Sequence, residues 1–381
     1  MIKTKNRLLY IDNLRLFMII LVVMMHLAVT FSGLGNWYYT ESNELGTVQL
    51  IIFGFFQSFL QGFFMGILFL IAGYFIPSSY DKKGFSKFIK ERLIRLGIPT
   101  LLYMIFIHPF IMLVLLNNGN FFSKKTASIY LNHFVFFNFI SASGPLWFAF
   151  ALLFFSLIYA LYRKFIKPIG INKDKKFPKT SKIILLILII SFFAFVIRMF
   201  LPIGTSVINM QLCYFSQYII LFIIGIECRR SRWFEKLTYS SGKTWLISGL
   251  FLGFTIWTII MLTGGALDGN LDKFNGGLTW QNAAYALWES FAAVSMSIGL
   301  ISLFKEKYNT QNKLIKTMSE NTFSVYVFHA PIIIGISLLF KEISLIPIIK
   351  FIISTIISIP ICFLFSNYII RKIPFLRKFL V

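Results

Sequence analysis

Two ionisable residues in the first long apolar segment, Arg15 and His26, have a spacing that could support chemistry inside a membrane. They are eleven residues apart, which on an α-helix is about 1100°, roughly 20° past three whole turns, so both side chains share one face. The rise between them is about 16 Å, which puts Arg15 at one membrane surface and His26 near the bilayer midplane. An ionisable group at that depth is costly unless it faces a protein interior or a water-filled cavity. His26 is therefore either a functional base or a hydrogen-bonded interior residue.

A second candidate feature is the arginine pair Arg92 and Arg95, in the basic stretch 87–99. The two are three residues apart and are predicted to project from one face of the helix that enters the third apolar segment. Paired guanidiniums suit phosphate or pyrophosphate groups, because each offers a planar fork of donors. The alternative for this pair, as for Arg15, is a topology signal at the membrane surface.

Several other polar residues lie in or beside apolar segments. Asp12 is predicted to be the N-cap of the first helix, where a carboxylate accepts free amide hydrogens. Glu289, His108 and His329 lie within predicted spans and serve either helix packing or function. His133 is predicted to lie in an exposed external loop.

Trp147 and the three cysteines receive structural interpretations. Trp147 is predicted to be a membrane-interface anchor. Cys213, Cys228 and Cys362 have neither a disulfide framework nor metal-ligand spacing, so buried or lipid-facing thiols are expected. We expect no metal site.

The composition is that of a membrane protein, with 57% hydrophobic and only 13% charged residues. Soluble domains carry about twice that share of charge. Ten apolar segments are long enough to span a bilayer: Leu14–Gly33, Val48–Ile76, Leu93–Leu116, Leu146–Leu161, Ile183–Leu201, Leu212–Ile226, Trp245–Thr263, Ala283–Phe304, Thr322–Phe340 and Ile346–Ile370. The brief apolar stretch Phe134–Ile140 fits a re-entrant or interfacial piece better. We expect an all-α integral membrane protein with about ten transmembrane helices, in which residues 1–381 form a single polytopic domain without a soluble extracytoplasmic domain.

The distribution of basic residues predicts the orientation. Of the 37 lysines and arginines, 31 fall in the segments on one side of a ten-helix arrangement, so the loops obey the positive-inside rule. Both termini are then cytoplasmic, and the first helix is retained rather than cleaved as a signal peptide. The same distribution explains the net charge of +23 without nucleic acid as a partner.

These features resemble the membrane-bound acyltransferase-3 family of ten-helix O-acyltransferases. That family opens with an acidic-x-Leu-Arg motif followed by a helix with a histidine, matched here by Asp12 to Arg15 and then His26. Its Arg-x-x-Arg motif is matched by Arg92 and Arg95.

Three further motifs support the resemblance. The second span contains FFMGILFLIAGYF, with Ala72 where the family commonly has serine. GPLWF, at 144–148, resembles the start of the family's fourth helix, and Tyr326 and His329 resemble the tyrosine and histidine of its ninth.

The resemblance implies an acyl-CoA donor, usually acetyl-CoA, and an acceptor hydroxyl on a polysaccharide or glycoconjugate precursor. On this interpretation Arg15, Arg92 and Arg95 hold the phosphates of CoA, and His26 is the general base. Weaker assignments make Asp12 a substrate-binding residue that orients Arg15, and place Glu289 or His329 at the acceptor. Acyl-CoA is then a substrate rather than a bound cofactor, and the protein is a multi-pass protein of the cell (plasma or inner) membrane.

One alternative function remains open at this stage, a transporter or flippase for a glycan or lipid. No inverted repeat favours it, and only the acyltransferase has a reason to bind CoA. The sequence leaves open the acceptor, the length of the acyl group, a direct or two-step transfer, and the oligomeric state, including a homo-oligomer.

The predicted topology can be tested by labelling. In a variant lacking the native cysteines, single cysteines placed at 264–282 should react with an impermeant thiol reagent added outside the cell. Cysteines placed at 170–180 should not react, because that basic loop is predicted to be cytoplasmic. Labelling in the reverse pattern would contradict the ten-helix arrangement.

Overall fold

The computed structural model describes residues 7–41, 45–117, 133, 138–166, 175–269 and 271–380. Over these residues the chain is helical, apart from loops and one isolated bridge between Val207 and Met210. The α-helices are α1 Leu9–Ser32, α2 Thr47–Arg92, α3 Ile98–Leu102, α4 His108–Asn117, α5 Trp147–Phe165, α6 Thr180–Phe200, α7 Phe215–Arg230, α8 Trp233–Lys236, α9 Tyr239–Thr263, α10 Asp272–Asn275, α11 Trp280–Lys307, α12 Lys313–Leu339, α13 Pro347–Tyr368 and α14 Pro374–Leu380.

Nine segments of the described chain are long and apolar enough to cross a membrane. The longest, Thr47–Leu115, has 69 residues and contains both the second and the third predicted spans. At 1.5 Å per residue it would extend about 100 Å, roughly three times the hydrocarbon thickness of a bilayer. Gly84 interrupts it with non-helical dihedrals (φ 71°, ψ 175°). The all-α membrane class is therefore confirmed, and this segment is long enough for two crossings.

Helix α1 is largely enclosed by other helices. It packs against α2, α11, α12 and α13. Leu14, Met18, Leu27 and Phe31 on α1 are completely buried by these neighbours. Helix α1 carries Arg15 near one end and His26 further along. Enclosure on most sides explains why such a helix is stable in a membrane, since its polar residues face protein instead of lipid.

Helices α2 and α7 approach each other at backbone distance. A Cβ on Gly73 would lie 2.1 Å from the carbonyl oxygen of Phe222, and one on Gly225 would lie 2.1 Å from that of Leu70. Only glycine fits at either position, as is usual where membrane helices pack through small residues. Gly73 of the second-span motif is therefore a packing residue between α2 and α7.

The third predicted span is not one regular helix. A π-helical turn at Leu93–Gly97 precedes α3, and a second one at Tyr103–Ile107 precedes α4. Each turn ends two residues before a proline, Pro99 or Pro109, which lacks the amide hydrogen for the regular helical bond. Arg95 lies in the first π turn, so the prediction that Arg92 and Arg95 share one α-helical face rested on a geometry that the chain does not adopt here.

The three cysteines are free and buried, as expected from their spacing. Most of the predicted re-entrant piece Phe134–Ile140 lies outside the described residues. Its end forms a 3-10 turn, Asn138–Ser141.

Candidate functional site

His26 lies among aromatic rings contributed by a loop and by α12. Its imidazole stacks on Trp37, with 3.7 Å between ring centroids and 16° between planes. The ring of His329 lies 5.2 Å away at 20°, and Trp37 and His329 are 6.4 Å apart. The squares of the two shorter distances add up to the square of the longest, so the angle at His26 is close to a right angle. Trp37 therefore covers one face of His26, and His329 lies at an edge of the same ring.

The hydrogen bond of His329 determines its tautomer. The side chain is completely buried, and its Nδ1 lies 2.9 Å from the carbonyl oxygen of Tyr326. A carbonyl only accepts, so Nδ1 carries the hydrogen and Nε2 of the neutral ring has a lone pair. Nε2 has no hydrogen-bond partner among the described residues. A second basic nitrogen is thus available beside His26.

All four histidines of the chain belong to one chain of neighbouring rings. From Trp37 it continues to Tyr38, with centroids 5.1 Å apart, and from Tyr38 to His108 at 5.4 Å. His133 stacks on His108 at 5.6 Å, and its Nε2 lies 2.8 Å from the carbonyl oxygen of Met104. The expectation that His133 is solvent-exposed is wrong, because it is partly buried within this cluster.

Tyr38 connects the two histidine pairs through hydrogen bonds. Its hydroxyl accepts from Tyr103 at 3.3 Å and lies 2.8 Å from Nδ1 of His108. Burial raises the pKa of Tyr38, so the phenol stays protonated and can donate to His108. Sequence reasoning missed Trp37 and Tyr38. The available signal was the run of three aromatic residues, Trp37 to Tyr39, directly after the first span.

The GPLWF motif packs beside this cluster. Gly144 has φ 49°, and a Cβ there would lie 2.5 Å from the hydroxyl of Tyr38, so the turn needs glycine. The hydroxyl of Tyr326 donates to the carbonyl of Pro145. Trp147, predicted as an interface anchor, instead stacks on the buried ring of Tyr218 at 5.7 Å. The motif is therefore part of the wall around the histidines.

At the other end of the α1 face, Arg15 lines a cavity of about 460 Å³. The cavity is lined by Arg7, Asp12, Arg15, Ser319, Glu320, Thr322 and Arg371. Helix α1 begins at Leu9 with Leu8 at the N-cap position, so the prediction that Asp12 is the N-cap is wrong. Asp12 instead pairs with Arg7, and its Oδ1 lies 3.6 Å from Nη1 of Arg15.

Arg92 and Arg95 are the other two arginines assigned to phosphate binding. Arg92 is within electrostatic range of both Arg95 and Arg15, and its guanidinium lies 5.0 Å over the ring of Phe88. Glu91, the adjacent acid, is engaged by Lys83. Of the three arginines that the sequence assigned to phosphate binding, Arg15 lines the cavity, Arg92 and Arg95 are not among its lining residues, and Arg95 lies in a π turn.

Glu289 is not part of the histidine cluster. It forms an ion pair with Arg198, and both side chains are almost completely buried. The rings of Tyr214 and Tyr285 flank the Arg198 guanidinium at 5.2 Å and 5.6 Å. Sequence reasoning had assigned no partner to Glu289. Among the described residues, no group of three or more histidine, cysteine or acidic side chains is arranged to hold a metal ion.

Breaking the Arg198–Glu289 pair tests whether Glu289 is structural. Glu289→Ala should lower the free energy of unfolding by about 3–5 kcal/mol, because it leaves Arg198 buried and unpaired. Glu235→Ala is the control, since its ion pair with Arg232 is about half exposed and should cost at most about 1 kcal/mol. Denaturant unfolding in detergent measures both.

A double variant distinguishes the loss of the ion pair from the burial of an unpaired charge. Arg198→Met combined with Glu289→Leu removes both charges and keeps apolar volume at both positions, so it should recover most of the stability that Glu289→Ala loses. Near-native stability of Glu289→Ala alone would contradict the structural role.

Comparison with known proteins gives the family. A family model described as an acyltransferase domain, that of the acyltransferase-3 family, matches residues 8–367. Comparisons with curated proteins and with solved structures gave no match. The matched range includes the four histidines with Trp37 and Tyr38, and it includes Arg15, Arg92 and Arg95. The chain belongs to the acyltransferase-3 family of membrane-bound acyltransferases.

Proposed function

We propose that the protein is an O-acyltransferase that moves an acetyl group from cytoplasmic acetyl-CoA to a hydroxyl of a glycan or glycoconjugate. One observation carries this proposal. A single face of α1 connects Arg15, at an arginine-lined cavity, with His26, half-buried in a cluster of rings. A cation that can bind an anionic donor and a base are thus available on the same helix, about 16 Å apart along its axis.

Three arginines would bind the donor at the cytoplasmic face. CoA carries a pyrophosphate and a further phosphate, and guanidinium groups bind such groups through paired hydrogen bonds. About 38% of the Arg15 side chain remains exposed, and Arg92 and Arg95 lie within electrostatic range of each other. In this proposal the chain crosses the membrane ten times with both termini cytoplasmic, which puts all three cations on the side where CoA is made.

His26 would act on the acceptor hydroxyl as the general base. The hydroxyl oxygen bonds to the thioester carbonyl carbon while its proton passes to His26, and the carbon–sulfur bond then breaks. The proton on His26 passes to the departing sulfur, so the products are the ester and free CoA. Transient acylation of His26 itself is the two-step version of the same reaction.

The acceptor side is the less constrained part of the proposal. His329 is the one predicted acceptor residue whose ring adjoins His26, and it keeps that assignment here. Asp12 and Glu289 also remain proposals, but Asp12 is paired with arginines and Glu289 with Arg198. We place the protein in the plasma or inner membrane, where glycan precursors are assembled. The rival transporter would show no affinity for CoA.

Removing either cytoplasmic arginine tests donor binding. Arg92→Ala and Arg95→Ala should each weaken acetyl-CoA binding roughly ten- to a hundredfold, since a hydrogen bond to a charged group is worth about 1.5–3 kcal/mol. Arg92→Lys should recover only part of the affinity, because an ammonium cannot make the paired contact. Calorimetric titration of the purified variants with acetyl-CoA measures the effect.

Arg232→Ala is the matched control for this experiment. It removes one exposed arginine from another basic loop, where Arg232 pairs with Glu235. We expect its acetyl-CoA affinity to equal that of the native protein. Equal affinity in both the Arg92 and Arg95 variants as well would make these residues topology signals only.

Replacing His26 tests the chemical step. His26→Gln keeps hydrogen bonding and approximate size but cannot take up a proton, so the transfer rate should fall about 10²–10⁴-fold. Isolated membranes contain the acceptor, and the initial rate of CoA thiol release from acetyl-CoA reports transfer there. Mass spectrometry of O-acetyl groups on envelope glycans provides a second measure.

Two controls show whether the loss of transfer in His26→Gln is specific to the chemical step. Acetyl-CoA affinity of His26→Gln should stay close to native, which shows that the variant is folded. His108→Gln removes a histidine from the far end of the same ring cluster and should retain far more activity. Near-native transfer by His26→Gln would return His26 to a packing role.

A further inference from the structure

The loop that follows α1, residues 33–41, folds back over the end of that helix; we refer to it as the cap segment. Gly33 ends α1 in the left-handed region (φ 69°), with its amide donating to the carbonyl of Val29. The amide of Glu41 then donates to the carbonyl of Thr30 at 2.8 Å. Both ends of the cap segment are therefore fastened to the last turns of α1, close to His26.

A buried ion pair fastens the cap segment to α13 as well. The Glu41 carboxylate lies 2.7 Å from Nζ of Lys350, and the side chains are only 7% and 5% exposed. A charge buried in this way is very costly without its partner. If Glu41 moved away from α13, both charges would lose their partner. The pair therefore restrains the whole cap segment.

Trp37 lies in the middle of the restrained segment and covers His26. Its indole is nearly parallel to the imidazole at 3.7 Å. The Nε1 atom of Trp37 is buried and has no hydrogen-bond partner in the described part of the chain. Ring stacking, and not a hydrogen bond, is therefore the contact that orients Trp37 at this position.

The surroundings of His26 indicate a stabilising role for the Trp37 indole. A histidine base is commonly oriented by a carboxylate that also stabilises the imidazolium. Among the described residues no ion pair joins His26 to a carboxylate, and the ionisable ring beside it is that of His329, a second base. The face of a tryptophan attracts a cation through its ring quadrupole. Trp37 is in position to stabilise the charged form of His26 from above.

We propose that Trp37 is a positioning residue for the transfer reaction, which holds the plane of the His26 imidazole and stabilises that ring while it carries the proton. The proposal rests on the proposed function of His26 as the base. Trp37 touches His26 and acts through it. The Glu41–Lys350 pair keeps the indole in place.

The test compares Trp37→Leu, which removes the π face, with Trp37→Phe, which retains one. Because the π face favours the charged form of His26 over the neutral form, Trp37→Leu should lower the rate of CoA thiol release at saturating acetyl-CoA roughly two- to thirtyfold. The KM for acetyl-CoA should not change, and Trp37→Phe should recover most of the rate. Trp257→Leu, the loss of a buried tryptophan in α9, is the control for general destabilisation.

A second measurement does not depend on activity. Diethyl pyrocarbonate modifies accessible imidazoles, and mass spectrometry can follow His26 separately from the other three histidines. His26 should be modified several times faster in Trp37→Leu than in the native protein, and at the native rate in Trp257→Leu. If Trp37→Leu does not purify as a monodisperse protein, Trp37→Met refills the volume without a π face and takes its place.

The outcomes separate this inference from the function on which it rests. Slower transfer with faster His26 modification in Trp37→Leu, and recovery by phenylalanine, support the positioning role. An unchanged transfer rate in Trp37→Leu overturns it, even if His26→Gln is inactive and the base is thereby supported. Near-native transfer by His26→Gln overturns the proposed function itself, whatever the Trp37 variants do.

Discussion

The cost of placing ionisable groups away from water is the constraint on which this structure depends. An unpaired charge inside a bilayer is unstable by several kcal/mol, so each such group must be paired or enclosed. Arg198 meets this requirement with Glu289, and Lys350 meets it with Glu41. His26 meets it differently, because a neutral imidazole can be packed between rings without a counter-ion. In the proposed function, that difference leaves His26 available for proton transfer.

The sequence predicts well whatever depends on local periodicity. The apolar segments and the helical face shared by Arg15 and His26 both follow from neighbouring residues. Family membership followed from short motifs in the right order, and the family match confirmed it. Prediction from local sequence failed around Pro99 and Pro109, which lack an amide hydrogen. The π turns before them depend on how neighbouring helices accommodate the interrupted helical hydrogen bonds.

The parts of the site that sequence reasoning missed involve residues far apart in the chain. Arg198 and Glu289 are separated by 91 positions, and nothing in either segment identifies the other as its partner. Trp37 follows the first span and could equally have anchored the protein at the membrane interface. Its position over His26 depends on Gly33, on the amide of Glu41 and on Lys350 from α13. Such a position becomes visible only when three separate segments are folded together.

The contact between α2 and α7 has a consequence for how a lipid-linked molecule could reach the bundle interior. At Gly73 and Gly225 the two backbones leave no room for even one additional methyl group. A hydrocarbon chain is far wider than that gap, so this seam is closed to lateral entry from the bilayer along the stretch where the glycines meet. In the proposed function, an acceptor carried on a lipid would reach the histidines by a route that avoids this stretch.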